Sequence, residues 1–264
     1  MNWGFELSGQ GDATVLLIHG VGLNRSVNAP IAQALSQGCQ VINLDLPGHG
    51  ESDRLAISNI EIADLVETID QFVQSQAVPM AAVVGHSIGA LISVELGARY
   101  PARYQSVVPI TPVYARSAEA SQAVQARAKA MAKCSTEDWP REVLAPLARW
   151  FGPDEASSAA YQRCADALSV VDPTAYVAAY QAFAQSQGVP DIQLDALKQP
   201  MLAIAAEHDI NSTPVMAQAM VDRVANGSLH TIQGAKHMAP LTHSREVAAA
   251  IVKFLSLYGH WNAA

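Results

Sequence analysis

The sequence is poor in cysteine and in long apolar runs, and each shortage excludes a class of protein. Three cysteines in 264 residues, without metal-like spacing, argue against a disulfide scaffold or a metal site. No run approaches the roughly 18 apolar residues of a membrane-spanning helix, and the N-terminus has no signal-peptide pattern. We therefore expect a cytoplasmic protein with no membrane contact and with Cys39, Cys134 and Cys164 as thiols. A Cys134–Cys164 disulfide is the alternative.

Positive charge is also scarce. The 16 Lys and Arg residues are outnumbered by 24 Asp and Glu, which gives a formal net charge of -8. No basic stripe stands out, so we expect no nucleic-acid partner. Half of the residues are hydrophobic, a globular composition, and the length fits one large α/β domain or two small ones.

Short apolar segments alternate with helical patterns along most of the chain. Within these segments, apolar and polar residues show little alternation, so the segments resemble strands that are buried on both faces. The predicted strands are 14–20, 40–47, 80–87, 106–111, 200–209 and 228–234, and the predicted helices are 27–36, 59–75, 88–100, 213–225 and 243–257. This order predicts an α/β fold with a mostly parallel central sheet and helices on both faces.

The alternation stops between 112 and 191, where only helical patterns occur, at 117–134, 136–152, 154–171 and 172–188. We interpret 112–191 as a helical cap inserted into a core of 1–111 and 192–264. The insertion holds half of the 16 aromatic residues: Tyr114, Trp139, Trp150, Phe151, Tyr161, Tyr176, Tyr180 and Phe183. They predict a largely apolar pocket beneath the cap, although such rings also serve simply to attach helices to a core.

A serine lies between two glycines where a predicted strand meets a helix, in "VVGHSIGA". A sharp turn at this junction would lift Ser87 clear of the sheet, and bulk at Gly85 or Gly89 would clash. The alternative is an ordinary glycine-rich turn. In open α/β sheets ligands bind beyond the carboxyl ends of the strands, where this serine lies. We therefore predict that Ser87 is a nucleophile.

A serine nucleophile needs a base and an acid that orients the base. His237, in "GAKHMAPLTHS", lies between the last predicted strand and the last helix, where it can reach back over the sheet. The other seven histidines are less well placed: His19, His49, His86, His208, His230, His243 and His260. Asp209 ends the preceding strand and is the predicted acid. Glu207, Asp45 and Asp53 are the alternatives, the last two more typical of turns.

Two backbone amides are predicted to bind an oxyanion. Ile88 follows the nucleophile at the start of its helix, and Val21 lies in "HGVG" directly after the first long strand. Helix starts and loops that follow strands present free N–H groups.

The segments "HGVGLN", "DLPGHGESD", "GHSIGA", "AAEHD" and "GAKHMAP", in this order, resemble the α/β-hydrolase superfamily, and within it small bacterial carboxylesterases and enol-lactonases. The resemblance implies a serine hydrolase with a helical cap that needs no metal or organic cofactor.

The expected reaction is cleavage of a carboxylic ester or lactone of a small, largely apolar molecule. A C–C or C–N bond hydrolase with the same triad is one alternative, and a small-molecule receptor with little turnover is another. The oligomeric state is left open.

Overall fold

A seven-stranded sheet forms the centre of the protein. The computed structural model describes residues 1–57, 59–78 and 80–261; Ser58, Pro79 and 262–264, which the predicted core includes, lie outside the described residues. The strands are β1 (Phe5–Ser8), β2 (Thr14–Ile18), β3 (Gln40–Leu44), β4 (Met80–His86), β5 (Val107–Ile110), β6 (Met201–Ala206) and β7 (Gly227–Ile232). Their spatial order is β1-β3-β2-β4-β5-β6-β7, and only the β1–β3 pair is antiparallel. The predicted fold class is confirmed.

The six predicted strands are all present, each shorter than its apolar segment. In β2, β4, β5 and β6 every residue is buried, as expected for strands covered by helices on both faces. β1 has no counterpart in the prediction. It lies at the sheet edge with three of its four residues exposed, so its sequence carries little apolar signal.

Helices cover both faces of the sheet. They are α1 (Ala29–Leu35), α2 (Ile62–Gln76), α3 (Ile88–Arg99), α10 (Pro214–Arg223), α11 (Ala239–Thr242) and α12 (Ser244–Leu257), with a 3₁₀ turn at Arg25–Asn28. α2 buries Leu65, Val66, Ile69, Phe72 and Val73 along one side, a spacing of three and four residues that makes one helical face apolar. The predicted helices of the core match these elements to within about three residues.

The segment between β5 and β6 is helical. It contains α4 (Ala118–Ala132), α5 (Trp139–Glu142), α6 (Leu147–Trp150), α7 (Ala159–Val170), α8 (Pro173–Gln185) and α9 (Asp191–Ala196), with a 3₁₀ turn at Pro153–Glu155. The single helical pattern predicted at 136–152 is instead the two short helices α5 and α6. Pro140 and Pro146 lie at their starts, where proline fits a first turn but cannot continue a preceding helix.

The helical segment and the sheet share one hydrophobic core. A continuous cluster of buried side chains joins Leu16 and Ile18 of β2 and Ile88 of α3 to Leu168 of α7 and Tyr176 of α8. The helices α4 to α8 are therefore packed onto the sheet by apolar burial, the main favourable term in folding.

Two further expectations concern cysteines and membranes. Cys39, Cys134 and Cys164 are all free thiols, so the alternative Cys134–Cys164 disulfide is not formed. Across the described part of the chain, no helix combines the length and the hydropathy needed to cross a bilayer.

Candidate active site

Ser87 lies at the junction of β4 and α3 in a strained backbone conformation. Its φ of 56° and ψ of -115° fall outside the regions that L-residues ordinarily adopt. A Cβ atom on Gly85 would collide with the carbonyl oxygen of Gly89, and one on Gly89 would lie 2.5 Å from the carbonyl oxygen of Ile18. The two glycines are therefore required by the tight turn that presents the serine.

His237 and Asp209 form a buried pair. Nδ1 of His237 lies 2.6 Å from Oδ2 of Asp209, and both residues are buried. An ionised carboxylate only accepts hydrogen bonds, so Nδ1 carries the hydrogen, and in the neutral imidazole Nε2 is left with a free lone pair. This is the tautomer that can accept a proton from a hydroxyl group.

The turn after β6 holds Asp209 in its charged form. Oδ1 of Asp209 accepts hydrogen bonds from the backbone amides of Asn211, at 2.8 Å, and Ser212, at 3.1 Å. Burial acts to raise the pKa of Asp209, but His237 and these two amides outweigh it and lower the pKa below its ordinary value.

The carboxylates named as alternative acids accept hydrogen bonds from backbone amides of nearby turns and loops. Asp45 accepts from the backbone amides of Arg25, at 2.6 Å, and Glu51, at 3.0 Å, and forms an ion pair with the Arg25 guanidinium. Oδ2 of Asp53 accepts from the backbone amide of Asn2. Oε2 of Glu207 accepts from the amide of Gly234, in the loop that leads to His237.

The two amides predicted to bind an oxyanion are free. Among the described residues, neither the Val21 nor the Ile88 backbone N–H donates a hydrogen bond. The Gly22 amide, next to Val21, donates to Nε2 of His49 at 3.0 Å. Because that bond fixes the loop, the Val21 amide is held in a defined orientation.

Sequence reasoning set aside three histidines that the structure places around the site. His19 accepts from the Leu46 amide through Nε2, and His49 accepts from Gly22 in the same way. Nε2 of His86 lies 3.0 Å from the backbone carbonyl oxygen of His237. Burial lowers the pKa of all three histidines. They are therefore neutral, and each connects two segments of the chain through a hydrogen bond. The sequence signal was the position of His19 and His86 at strand ends and of His49 in the turn "PGHG".

A small cavity lies over Ser87 and His237. Val21 also lines it, together with four of the eight aromatic residues named from the sequence: Trp150, Tyr176, Tyr180 and Phe183. The expectation of a largely apolar pocket is incomplete, because Arg127 and Arg149 line it too. The structure thus brings Ser87 and His237 to one cavity, with Asp209 behind the imidazole; their catalytic roles stay predictions.

Comparison with known proteins gives the family. The family model described as "Serine aminopeptidase, S33" matches residues 9–241. The chain belongs to this family of α/β-hydrolases. Family membership and the relatives below make it a hydrolase; they do not by themselves select the bond that it cleaves.

Two curated relatives and one solved structure are similar to this α/β-hydrolase over nearly its whole length. It is 31% identical over 247 residues to the (E)-2-((N-methylformamido)methylene)succinate hydrolase of Acinetobacter baylyi, covering 94% of this chain and 91% of that one. It is 27% identical to a pimeloyl-[acyl-carrier protein] methyl ester esterase of Stenotrophomonas maltophilia, over 95% of each chain. The enol-lactonase of Burkholderia xenovorans shares the fold, with a TM-score of 0.84 and 22% identity over 96% of each chain.

Proposed function

We propose that this α/β-hydrolase cleaves a carboxylic ester or lactone through an acyl-enzyme formed on Ser87. The observation that carries the proposal is that Ser87 and His237 line one cavity while Nδ1 of His237 is bound to Asp209 at 2.6 Å. The esterase and enol-lactonase among the similar proteins support the choice of bond.

The reaction begins when the Ser87 hydroxyl attacks the acyl carbon. As the new C–O bond forms, the hydroxyl proton moves to Nε2 of His237, and Asp209 stabilises the resulting imidazolium. The carbonyl oxygen becomes an oxyanion, and the free amides of Val21 and Ile88 are the proposed donors to it. Collapse expels the alcohol, which takes the proton from His237.

The second half of the reaction repeats these steps with water. His237 removes a proton from a water molecule, the hydroxide attacks the acyl carbon, and the Ser87 oxygen leaves with the proton returned to it. For a lactone, the alcohol formed in the first half stays attached to the acyl group, so a single hydroxy acid is released.

The test is ester hydrolysis by the Ser87→Ala variant. We expect turnover of p-nitrophenyl acetate to fall by at least about 10³-fold, because the nucleophile is lost, while the circular dichroism spectrum is unchanged. Ser256→Ala, a change on the exposed face of α12, is the matched control and should retain full activity. Full activity in Ser87→Ala would remove the proposal.

A second candidate is hydrolysis of a C–N bond by the same residues. The relative from Acinetobacter baylyi acts on a substrate whose name contains an N-methylformamido group, and this chain aligns with 91% of it. Comparing kcat/KM for esters with that for amides of the same acids separates the two candidates. Preference for the amides would select the second.

A further inference from the structure

Two arginines reach the cavity from the helical segment between β5 and β6. Arg127 lies on α4 and Arg149 on α6, and both line the same space as Ser87 and His237. Each is half-buried rather than extended into solvent. The aromatic rings can pack this cavity wall without guanidinium groups. Burying a charged group is unfavourable unless it is paired, so the two guanidinium groups indicate a site for a ligand.

Neither guanidinium has a carboxylate partner. Among the described residues, no Asp or Glu lies within 4 Å of a charged nitrogen of Arg127 or Arg149, and none lines the cavity. The only side-chain hydrogen bond from either, in the described part of the chain, runs from Nε of Arg127 to the Tyr180 hydroxyl at 3.3 Å. In a chain with 24 acidic and 16 basic residues, unpaired arginines at a cavity are unexpected.

A third arginine adds to the positive charge at this end of the cavity. The Arg116 guanidinium stacks 4.3 Å from the ring centre of Phe183, which lines the cavity, and donates to the carbonyl oxygens of Phe183 and Ser186. Burial lowers the pKa of Arg116 to about 10; Tyr180 acts to raise this pKa, and the charge of Arg127 acts to lower it. Burial also lowers the pKa of Arg149, again with a contribution from Arg127. A bound anion would relieve this repulsion.

Other polar groups of the cavity are without partners. Ser212 is fully buried, and its hydroxyl has no hydrogen-bond partner among the described residues; the same holds for the side-chain nitrogen of Asn211. Both residues line the cavity, and the hydrogen bonds from their backbone amides to Asp209 fix their position. Buried polar groups are rarely left unpaired, so these are available to a ligand.

We infer that the substrate carries a free carboxylate, which Arg127 and Arg149 bind while its ester, lactone or amide carbonyl lies at Ser87. The inference rests on the proposed function and narrows its substrate class to small anionic acyl compounds, such as the half-esters of short dicarboxylic acids. A guanidinium presents two parallel N–H groups that match the two oxygens of a carboxylate. The cavity is small, which suits a short acyl compound.

The experiment compares two methyl esters, monomethyl succinate and methyl butyrate, in which the terminal carboxylate of the first is replaced by a methyl group in the second. Methanol release gives kcat/KM for each. We expect the wild type to prefer monomethyl succinate. Arg127→Gln and Arg149→Gln should each lower kcat/KM for monomethyl succinate about 10- to 100-fold and change that for methyl butyrate less than about 3-fold. Arg163→Gln, on the same helical segment but outside the cavity, should change neither.

Equal losses on both esters in the two variants would show that the arginines only support the fold, and would overturn the inference. A wild type that prefers methyl butyrate would also overturn it, while leaving the proposed esterase intact. If the enzyme preferred methyl 3-phosphonopropanoate to monomethyl succinate, the group bound by the arginines would be phosphate-like and not a carboxylate. Absence of turnover on all three esters and on p-nitrophenyl acetate would instead count against the proposed function.

Anion binding is then measured apart from catalysis, in the Ser87→Ala variant. We expect succinate to bind in calorimetry and to raise the melting temperature, inorganic phosphate to bind more weakly, and both effects of succinate to be lost when Arg127→Gln is added. Succinate binding that survives that addition would contradict the inference.

Discussion

Nε2 of His86 donates a hydrogen bond to the backbone carbonyl oxygen of His237, across 3.0 Å and 151 positions of sequence. The residue next to the proposed nucleophile therefore holds the loop that carries the proposed base. The two rings lie 5.0 Å apart between centres, so a charge on one opposes a charge on the other.

The pKa of His86 gives a prediction about stability. Burial, with a smaller contribution from the charge on His237, lowers this pKa from the ordinary 6.5 to about 3. Between these values the unfolded chain binds a proton that folded His86 does not. The contribution of His86 to the free energy of unfolding is therefore complete above pH 6.5 and is lost as pH falls towards 3.

Replacing His86 by Gln tests this dependence, because the amide can still donate to the His237 carbonyl but does not titrate. We expect the melting temperature of His86→Gln to fall less steeply than that of the wild type between pH 6.5 and pH 4.5. Buried His19 and His49 remain in the variant, so the decline becomes shallower without vanishing. His230→Gln, at an exposed position, should behave like the wild type. Identical slopes for all three proteins would contradict the assignment.

Asp209→Asn changes the hydrogen-bonding chemistry of the base with little change in shape. An amide can donate to Nδ1 of His237, which favours the tautomer whose Nε2 carries the hydrogen and cannot accept a proton. We expect kcat/KM for p-nitrophenyl acetate to fall by about 10⁴-fold.

Asp53→Asn is the matched control for that change, since Asp53 is an exposed carboxylate that binds only the Asn2 amide among the described residues. It should retain nearly full activity. If the two variants lost activity to the same extent, Asp209 would not be the orienting acid.

Gly85→Ala should be strongly destabilising, because the new methyl group collides with the carbonyl oxygen of Gly89 and neither backbone can give way within a packed core. We expect a loss well above 2 kcal/mol in urea denaturation. Gly259→Ala provides the comparison: Gly259 has a φ of 72° but open space around it, so only the conformational cost of about 1–2 kcal/mol applies. Equal losses at the two positions would show that crowding at Gly85 is not what requires glycine.

How far the sequence predicted the fold and the site depends on where each signal lay. β2, β4, β5 and β6 were predicted because burial on both faces demands uninterrupted apolar residues, whereas the four-residue edge strand β1 has no such demand. The tight turn at Ser87 was predictable because it excludes side chains at Gly85 and Gly89; the catalytic role of Ser87 stays a prediction.

The rest of the site depends on distant packing. Arg127 and Arg149 occur among other charged residues of helical patterns, and nothing local distinguishes a guanidinium that faces a cavity from one that faces water. The role of His86 was missed for a similar reason, since its partner is the carbonyl of a residue 151 positions away. Only the packing of α4 and α6 over the sheet brings the two arginines to the cavity of Ser87 and His237.

The most direct test of the account is covalent labelling of the intact protein with a fluorophosphonate, which reacts with an activated serine by losing fluoride. Peptide mass spectrometry should place one phosphonyl group on Ser87, and Ser87→Ala should take up none. His237→Ala should react far more slowly, because the hydroxyl then lacks its base. Labelling of a different serine, or an unmodified Ser87 in protein that is actively hydrolysing esters, would contradict the account.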